Sequence, residues 1–263
     1  MNVELHPVIE GAESLFFSGN EIGVLLCHGF NGTPQSMQYI GEQLTKYGYT
    51  VSIPRLNGHG THYLDMETST YEDWISGLQT AYNHLKKQCE KVYIVGQSMG
   101  GALTLQVAAN NQNVDGIFLI NAAVTDVCYK EFCNKVKPAY VQEGSPDINK
   151  SFVFEITYEK VPLKAIHQLL HLMDDTKKKV SSVSSPTVIF KSATDHVVPP
   201  TNSEFIFDQV NTAEKKMIVL QNSYHVASMD HDAPLIVEQI HQHIKKLITD
   251  KIVKNTNKKW ITV

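Results

Sequence analysis

Ser98 stands at the apex of Gly96-Gln97-Ser98-Met99-Gly100, directly after the apolar, β-rich residues 92–95 and just before the small, apolar residues 102–109. The order reads as strand, tight turn, helix, with a hydroxyl at the turn. A serine hydroxyl is a poor nucleophile at neutral pH. It needs an imidazole to take its proton and a carboxylate to orient that imidazole and stabilise its cation. The glycines two positions before and after the serine let strand and helix approach while the apex residue holds a strained backbone. A glycine-rich turn can also merely connect two elements or cradle a phosphate. A phosphate loop would spell GxxxxGK followed by Ser or Thr and a dinucleotide turn GxGxxG, and neither is present.

Where such an elbow is catalytic, the partners follow in the order Ser, Asp or Glu, His, each at the C-terminal end of a strand. Asp195 follows the apolar residues 187–190, and His225 follows residues 216–220. His196 and His231 are rival bases, but His196 adjoins the carboxylate and His231 lies close to the start of the last helix. Asp208, Asp230 and Asp232 read as surface or capping carboxylates. Acyl transfer also needs donors aimed at the developing oxyanion, and backbone amides supply them. By position these are Met99, after the serine, and Phe30, in the loop after an earlier strand. His28 and His59 read as structural loop residues.

These residues need a scaffold that brings strand ends together. Residues 22–27 are continuously apolar, as a parallel strand covered on both faces should be. Within the loop 28–34, Thr33 is a candidate cap for a helix opening at Pro34 with Met37, Ile40 and Leu44 on one face. Strand-like residues 49–53, a polar loop 55–63 and a helix over 71–89 lead to the elbow. Residues 116–121 form another buried strand, residues 202–210 and 232–248 read as helices, and residues 15–17 are a candidate edge strand. This alternation predicts an α/β fold with a mostly parallel central sheet flanked by helices and right-handed crossovers.

The alternation breaks between about 125 and 185, too long for a plain connection, so this stretch is expected to be a lid inserted in one domain spanning 1–263. It holds a helix with Leu163, Ile166, Leu170 and Met173 on one face, and an aromatic first half with Phe132, Tyr140, Phe152, Phe154 and Tyr158. Residues 250–263 read as a polar, lysine-bearing tail in solvent.

Of 263 residues, 42% are hydrophobic and 19% charged, enough for one sizeable core. The net charge of -4 provides no basic field for nucleic acid. There is no secretory leader pattern and no apolar run near ~18 residues, so the expectation is a cytoplasmic protein. Cys27, Cys89, Cys128 and Cys133 lack metal-ligand spacing and read as free, mostly buried thiols. The chemistry outlined above needs neither metal nor cofactor.

Taken together, HGFNGTP, RLNGHGTHYLDM, GQSMGG, DHVVPP and NSYHVA resemble the bacterial monoacylglycerol lipases and related small carboxylesterases of the α/β-hydrolase superfamily, over about residues 23–248. The resemblance implies a lidded serine esterase with Ser98, Asp195 and His225 as triad and Phe30 and Met99 as oxyanion donors. Its expected substrate is a small ester, a monoglyceride or another short-to-medium acyl ester, with transient contact between lid and lipid surface. Glu155, within FEITYEKVP, matches a family glutamate that contacts the glycerol end; the alternative for it is a surface carboxylate. Gln97 departs from the leucine frequent in relatives, and residues 128–153 diverge most. The same scaffold hosts thioesterases, aromatic-acid esterases and C–C bond hydrolases, and a non-catalytic ligand sensor of the same fold is a further alternative. Oligomeric state is not legible.

Overall fold

A computed structural model describes residues 3–260, with side chains as far as Asp250. Along the chain come β1 (Leu15–Phe17), β2 (Ile22–Cys27), α1 (Gln35–Thr45), β3 (Thr50–Ile53), α2 (Tyr63–Thr68), α3 (Tyr71–Gln88) and β4 (Lys91–Gln97). Then follow α4 (Met99–Asn110), β5 (Gly116–Ile120), β6 (Tyr140–Gln142), β7 (Lys160–Pro162) and α5 (Leu163–Lys179). The last elements are β8 (Thr187–Ser192), α6 (Thr201–Gln209), β9 (Lys215–Leu220) and α7 (Ala233–Trp260).

The main sheet has seven strands in the order β1-β3-β2-β4-β5-β8-β9. Only β1 runs antiparallel, paired with β3 at one edge; the other pairings are parallel. Alternation along each strand divides the interior into two layers. Leu25, Cys27, Ile94, Ile117, Leu119 and Ile189 face α3, α4 and α5. Val24, Leu26, Val95, Phe118, Ile120 and Phe190 face Met37, Ile40 and Leu44 of α1 and Ile236, Ile240 and Ile244 of α7. Each large aliphatic side chain buried this way contributes roughly 1.5–3 kcal/mol, so the sheet is held rigidly between two helical layers. Because the strands are parallel, their C-terminal ends and the loops that follow meet along one edge.

Several local details differ from the sequence expectations. Thr33 does not cap α1: Pro34 occupies the cap position and the Thr33 hydroxyl is buried without a partner among the described residues. Pro34 already carries a helical φ of -52°, so the helix begins without a side-chain acceptor. Conversely, α3 opens with a full Thr70–Asp73 capping box that the hydrophobic pattern does not reveal. All four cysteines are free; Cys27 and Cys89 are buried, whereas Cys128, the first residue of a short 3-10 turn, and Cys133, just after that turn, are exposed. Helix α7 continues to Trp260, so the backbone of most of the polar tail is helical; residues 261–263 lie outside the described residues. Among the described residues no helix is long and apolar enough to cross a membrane.

Candidate active site

Strand β4 ends at Gln97, and Ser98 turns the chain into α4 at φ 55° and ψ -119°, a conformation an L-residue holds only against its own preference. Such a residue costs of order 1–3 kcal/mol and persists only where its surroundings over-determine it. Here they do. The Ser98 amide donates to the Ile120 carbonyl at 2.9 Å, and the Ser98 carbonyl accepts from Gly101 at 2.9 Å and Ala123 at 3.2 Å. A Cβ on Gly96 would stand 2.2 Å from the Gly100 carbonyl oxygen, and one on Gly100 would stand 2.3 Å from that of Cys27. Both positions therefore admit only glycine, and strand and helix close on each other around the serine.

Ser98 Oγ lies 2.9 Å from His225 Nε2, and His225 Nδ1 lies 2.9 Å from Asp195 Oδ2. The other Asp195 oxygen accepts the amides of Val197 at 2.9 Å and Val198 at 2.8 Å, which fixes the carboxylate. This places Nδ1–H toward the carboxylate and leaves Nε2 as acceptor for the hydroxyl proton. All three side chains are buried or nearly so. The rival His196 is exposed, with Nδ1 2.7 Å from Asp147, and His231 is exposed as well. His28 is fully buried, bonded to the Gly29 carbonyl through Nδ1 at 2.9 Å and accepting from the Leu56 amide through Nε2 at 3.2 Å. Burial pushes its pKa down to about 4, so it stays neutral and holds loops together. His59, buried beside it, is lowered by the same cause.

The loop after β2 passes close to the elbow: a Cβ on Gly29 would lie 3.3 Å from Ser98 Cβ. Neither the Phe30 nor the Met99 amide donates to an acceptor among the described residues, so both N–H groups remain available beside the serine. The Phe30 ring packs edge-on against Trp74 and Tyr129, with centroids 6.1 and 5.6 Å away, which holds that stretch of loop.

A cavity of about 390 Å³ opens over Ser98 and His225 and is walled largely by the residues between β5 and α5. Phe30, Val127, Tyr129, Phe132, Val141 and Leu169 supply its apolar lining, while Glu131, Glu143, Asp147 and Glu155 supply carboxyl groups and no lysine or arginine joins them. Glu155 is buried, so it is no surface carboxylate. Burial raises its pKa from 4.5 to about 7, against a smaller opposing pull from His225. Glu143 is raised as well, by burial, with the Tyr129 hydroxyl donating to it at 2.7 Å. Among the described residues no group of three or more His, Cys, Asp or Glu is arranged to hold a metal ion.

Two residues that the sequence did not single out, Asn121 and Asp147, and one that it read as a surface or capping carboxylate, Asp230, position the rest. Asn121, at φ 46° just past β5, donates to Ser192 Oγ at 2.8 Å and the His225 carbonyl at 2.9 Å, and accepts from the Ser192 amide at 2.8 Å. Asp147 accepts the amides of His225 at 3.2 Å and His196 at 3.1 Å. Asp230 is not a surface carboxylate: it is 2% exposed and takes four amides, from Asn149, Lys150, Tyr224 and His231, at 2.7–2.9 Å. Its signal would have been a carboxylate in a helix-free stretch rich in unpaired amides, which sequence alone does not reveal. Gln97, the departure at the elbow, accepts from the Ser228 amide at 3.1 Å and so also braces the histidine loop.

The model of the family described as Hydrolase_4, serine aminopeptidase S33, matches residues 20–153 and 154–232. A thermostable monoacylglycerol lipase from Bacillus sp. (strain H-257) is 43% identical over 238 residues, 90% of this chain and 95% of that protein. A carboxylesterase from Bacillus subtilis (strain 168) is 27% identical over 237 residues, 88% of this chain and 95% of the relative. A solved structure from work on the metagenome-derived lipolytic enzymes LipS and LipT superposes with a TM-score of 0.87 at 38% identity, covering 91% of this chain and 100% of that one. A soluble variant of the Saccharomyces cerevisiae monoglyceride lipase superposes with a TM-score of 0.74 over 89% of this chain and 90% of that one, at 16% identity, which speaks for the fold alone.

Proposed function

The chain belongs to the Hydrolase_4 (serine aminopeptidase, S33) family of α/β-hydrolases, and from that premise we propose that it hydrolyses monoacylglycerols to glycerol and fatty acid through an acyl-enzyme on Ser98. The hydrogen-bonded line from Ser98 Oγ through His225 to Asp195, at 2.9 Å for each contact, carries this reading. His225 Nε2 takes the Ser98 proton as Oγ bonds to the ester carbonyl carbon. The carbonyl oxygen becomes an oxyanion that accepts from the Phe30 and Met99 amides. Collapse breaks the ester C–O bond, and His225 returns the proton to the leaving glycerol oxygen. Water, deprotonated by the same imidazole, then releases the acid.

The choice of a glyceride rests on the 43% identical monoacylglycerol lipase and on the cavity's polarity. Glu155, buried with its carboxyl at the cavity wall, suits the hydroxyls of glycerol, and the apolar lining suits an acyl chain. Four carboxyl groups and no cation line the cavity, which disfavours thioesters carrying phosphate groups. Residues from about 125 to 185 act in this reading as a lid. Phe152 and Phe154, 108% and 76% exposed on the chain segment that leads into Glu155, are the side chains that would touch a lipid aggregate.

The test is a panel of monoglycerides of increasing chain length, a diglyceride, an aryl ester and an acyl-thioester, with Ser98→Ala as control. Monoglycerides of medium chain length should have the highest kcat/KM, and Ser98→Ala should lose several powers of ten in kcat while keeping the wild-type unfolding midpoint. Equal rates on two-carbon and twelve-carbon esters would refute the apolar channel, and undiminished turnover by the variant would refute the assignment of the nucleophile.

A further inference from the structure

Two side-chain amides stitch the loop that carries Phe30, and the start of the helix that follows it, to the segment that carries Glu155. Asn31, at φ 61°, donates through Nδ2 to the Tyr158 carbonyl at 3.0 Å and accepts the Tyr158 amide on Oδ1 at 3.0 Å. Gln35, the first residue of α1, donates through Nε2 to the Phe154 carbonyl at 2.7 Å and accepts the Ile156 amide on Oε1 at 3.1 Å. A primary amide offers donor and acceptor at the spacing of a peptide group, so each can pair with a length of backbone as a neighbouring strand would.

Nothing else in the backbone network does so. Residues 153–158 belong to no strand or helix, and no backbone–backbone hydrogen bond among the described residues involves 154–158. Among the described residues the Glu155 carboxyl takes no hydrogen bond; Gly32 lies beside it, where an added Cβ would stand 3.0 Å from Oε1. Its position is therefore set by its own backbone, and that backbone is held between Phe154 and Ile156 by one side chain, Gln35. Gln35 is half-buried and does not line the cavity over Ser98.

We propose that Gln35, seconded by Asn31, is a positioning residue that fixes the Glu155 carboxyl relative to the Phe30 amide, so that the group selecting the alcohol and the group stabilising the oxyanion move as one body. The inference rests on the reading of Glu155 as the contact for the glycerol end. It predicts a consequence that general bracing of the fold would not have: loosening Gln35 should penalise esters of glycerol more than esters whose alcohol offers no hydroxyl to Glu155.

The experiment compares wild type, Gln35→Met, Gln35→Glu and Glu155→Ala, each assayed on a 1-monoacylglycerol and on the p-nitrophenyl ester of the same acid, with thermal midpoints recorded. Gln35→Met keeps length and volume and removes both hydrogen bonds, whereas Gln35→Glu keeps the acceptor for Ile156. The expected result is a fall of about tenfold in the ratio of glyceride to aryl-ester kcat/KM for Gln35→Met, mainly in KM. Gln35→Glu should give an intermediate fall, and Glu155→Ala one at least as large as Gln35→Met. If Glu155→Ala lowers the ratio but both Gln35 variants lose the two activities in parallel, or lose neither, Gln35 only braces the fold and the proposal is overturned. If Glu155→Ala leaves the ratio unchanged, the glycerol reading of Glu155 fails and takes the proposal with it. Should Gln35→Met not fold, the ratio for Gln35→Glu decides.

Discussion

Replacing Glu155 by glutamine should remove a pH dependence that the wild-type protein carries in its unfolding free energy. Glu155 is 7% exposed, its carboxyl accepts no hydrogen bond among the described residues, and burial raises its pKa from 4.5 to about 7. Between those values the folded chain keeps the proton while the unfolded chain releases it, so the native state binds more protons and stability falls as pH rises. The contribution is fully present below about pH 4.5 and is lost as pH passes through about 7. At about 1.4 kcal/mol per pH unit across that interval, the loss amounts to about 3 kcal/mol. The charge of His225 pulls the opposite way and trims the effect. Glutamine has the same shape and does not titrate. Urea unfolding of both proteins at half-unit steps from pH 5 to 8 isolates the difference, since other ionisable groups are common to both. The wild type should lose about 2–3 kcal/mol relative to Glu155→Gln across the series. A difference that stays flat would refute the account of this side chain as an uncompensated buried carboxyl.

Two further outcomes follow from the hydrogen-bond geometry. Asp195→Asn should lower kcat by about 10⁴ with little change in KM, because the amide turns the imidazole to the wrong tautomer while preserving its contacts; steady-state kinetics on an aryl ester checks this, and a loss under tenfold would contradict the assigned role. Asp230→Ala should orphan four amides, destabilise the protein by about 3 kcal/mol or more, and depress kcat by loosening the His225 loop; an unchanged urea midpoint would show that water replaces the carboxylate at no cost.

What could be read along the chain was whatever depends on local order. The apolar residues of β2, β4, β5 and β8 are continuous because both sheet faces are covered, so the parallel sheet was visible in composition alone. The β6–β7 hairpin was not: its strands pair Tyr140–Gln142 with Lys160–Pro162, each three residues long and too short to show a period. Thr33 misled for a related reason, since capping preference is a statement about isolated helix ends and Pro34 had already set the backbone. Asp230 misled because a lone carboxylate looks alike in any sequence, whether it faces solvent or four amides.

The sequence by itself determined which groups are available and where each strand ends: a hydroxyl between two glycines, a carboxylate and an imidazole each in the loop that follows a strand. Tertiary structure alone decided that Ser98, His225 and Asp195 lie 2.9 Å apart in turn and that Glu155 is buried at the wall of the cavity over Ser98. It also decided that Gln35 holds a backbone more than a hundred residues away, 119 to its carbonyl partner and 121 to its amide partner. The physical reason is that residue type and local spacing are encoded one position at a time. Burial, and with it the pKa of Glu155 and the worth of each hydrogen bond, depends on which distant segments the packed sheet brings to the same edge.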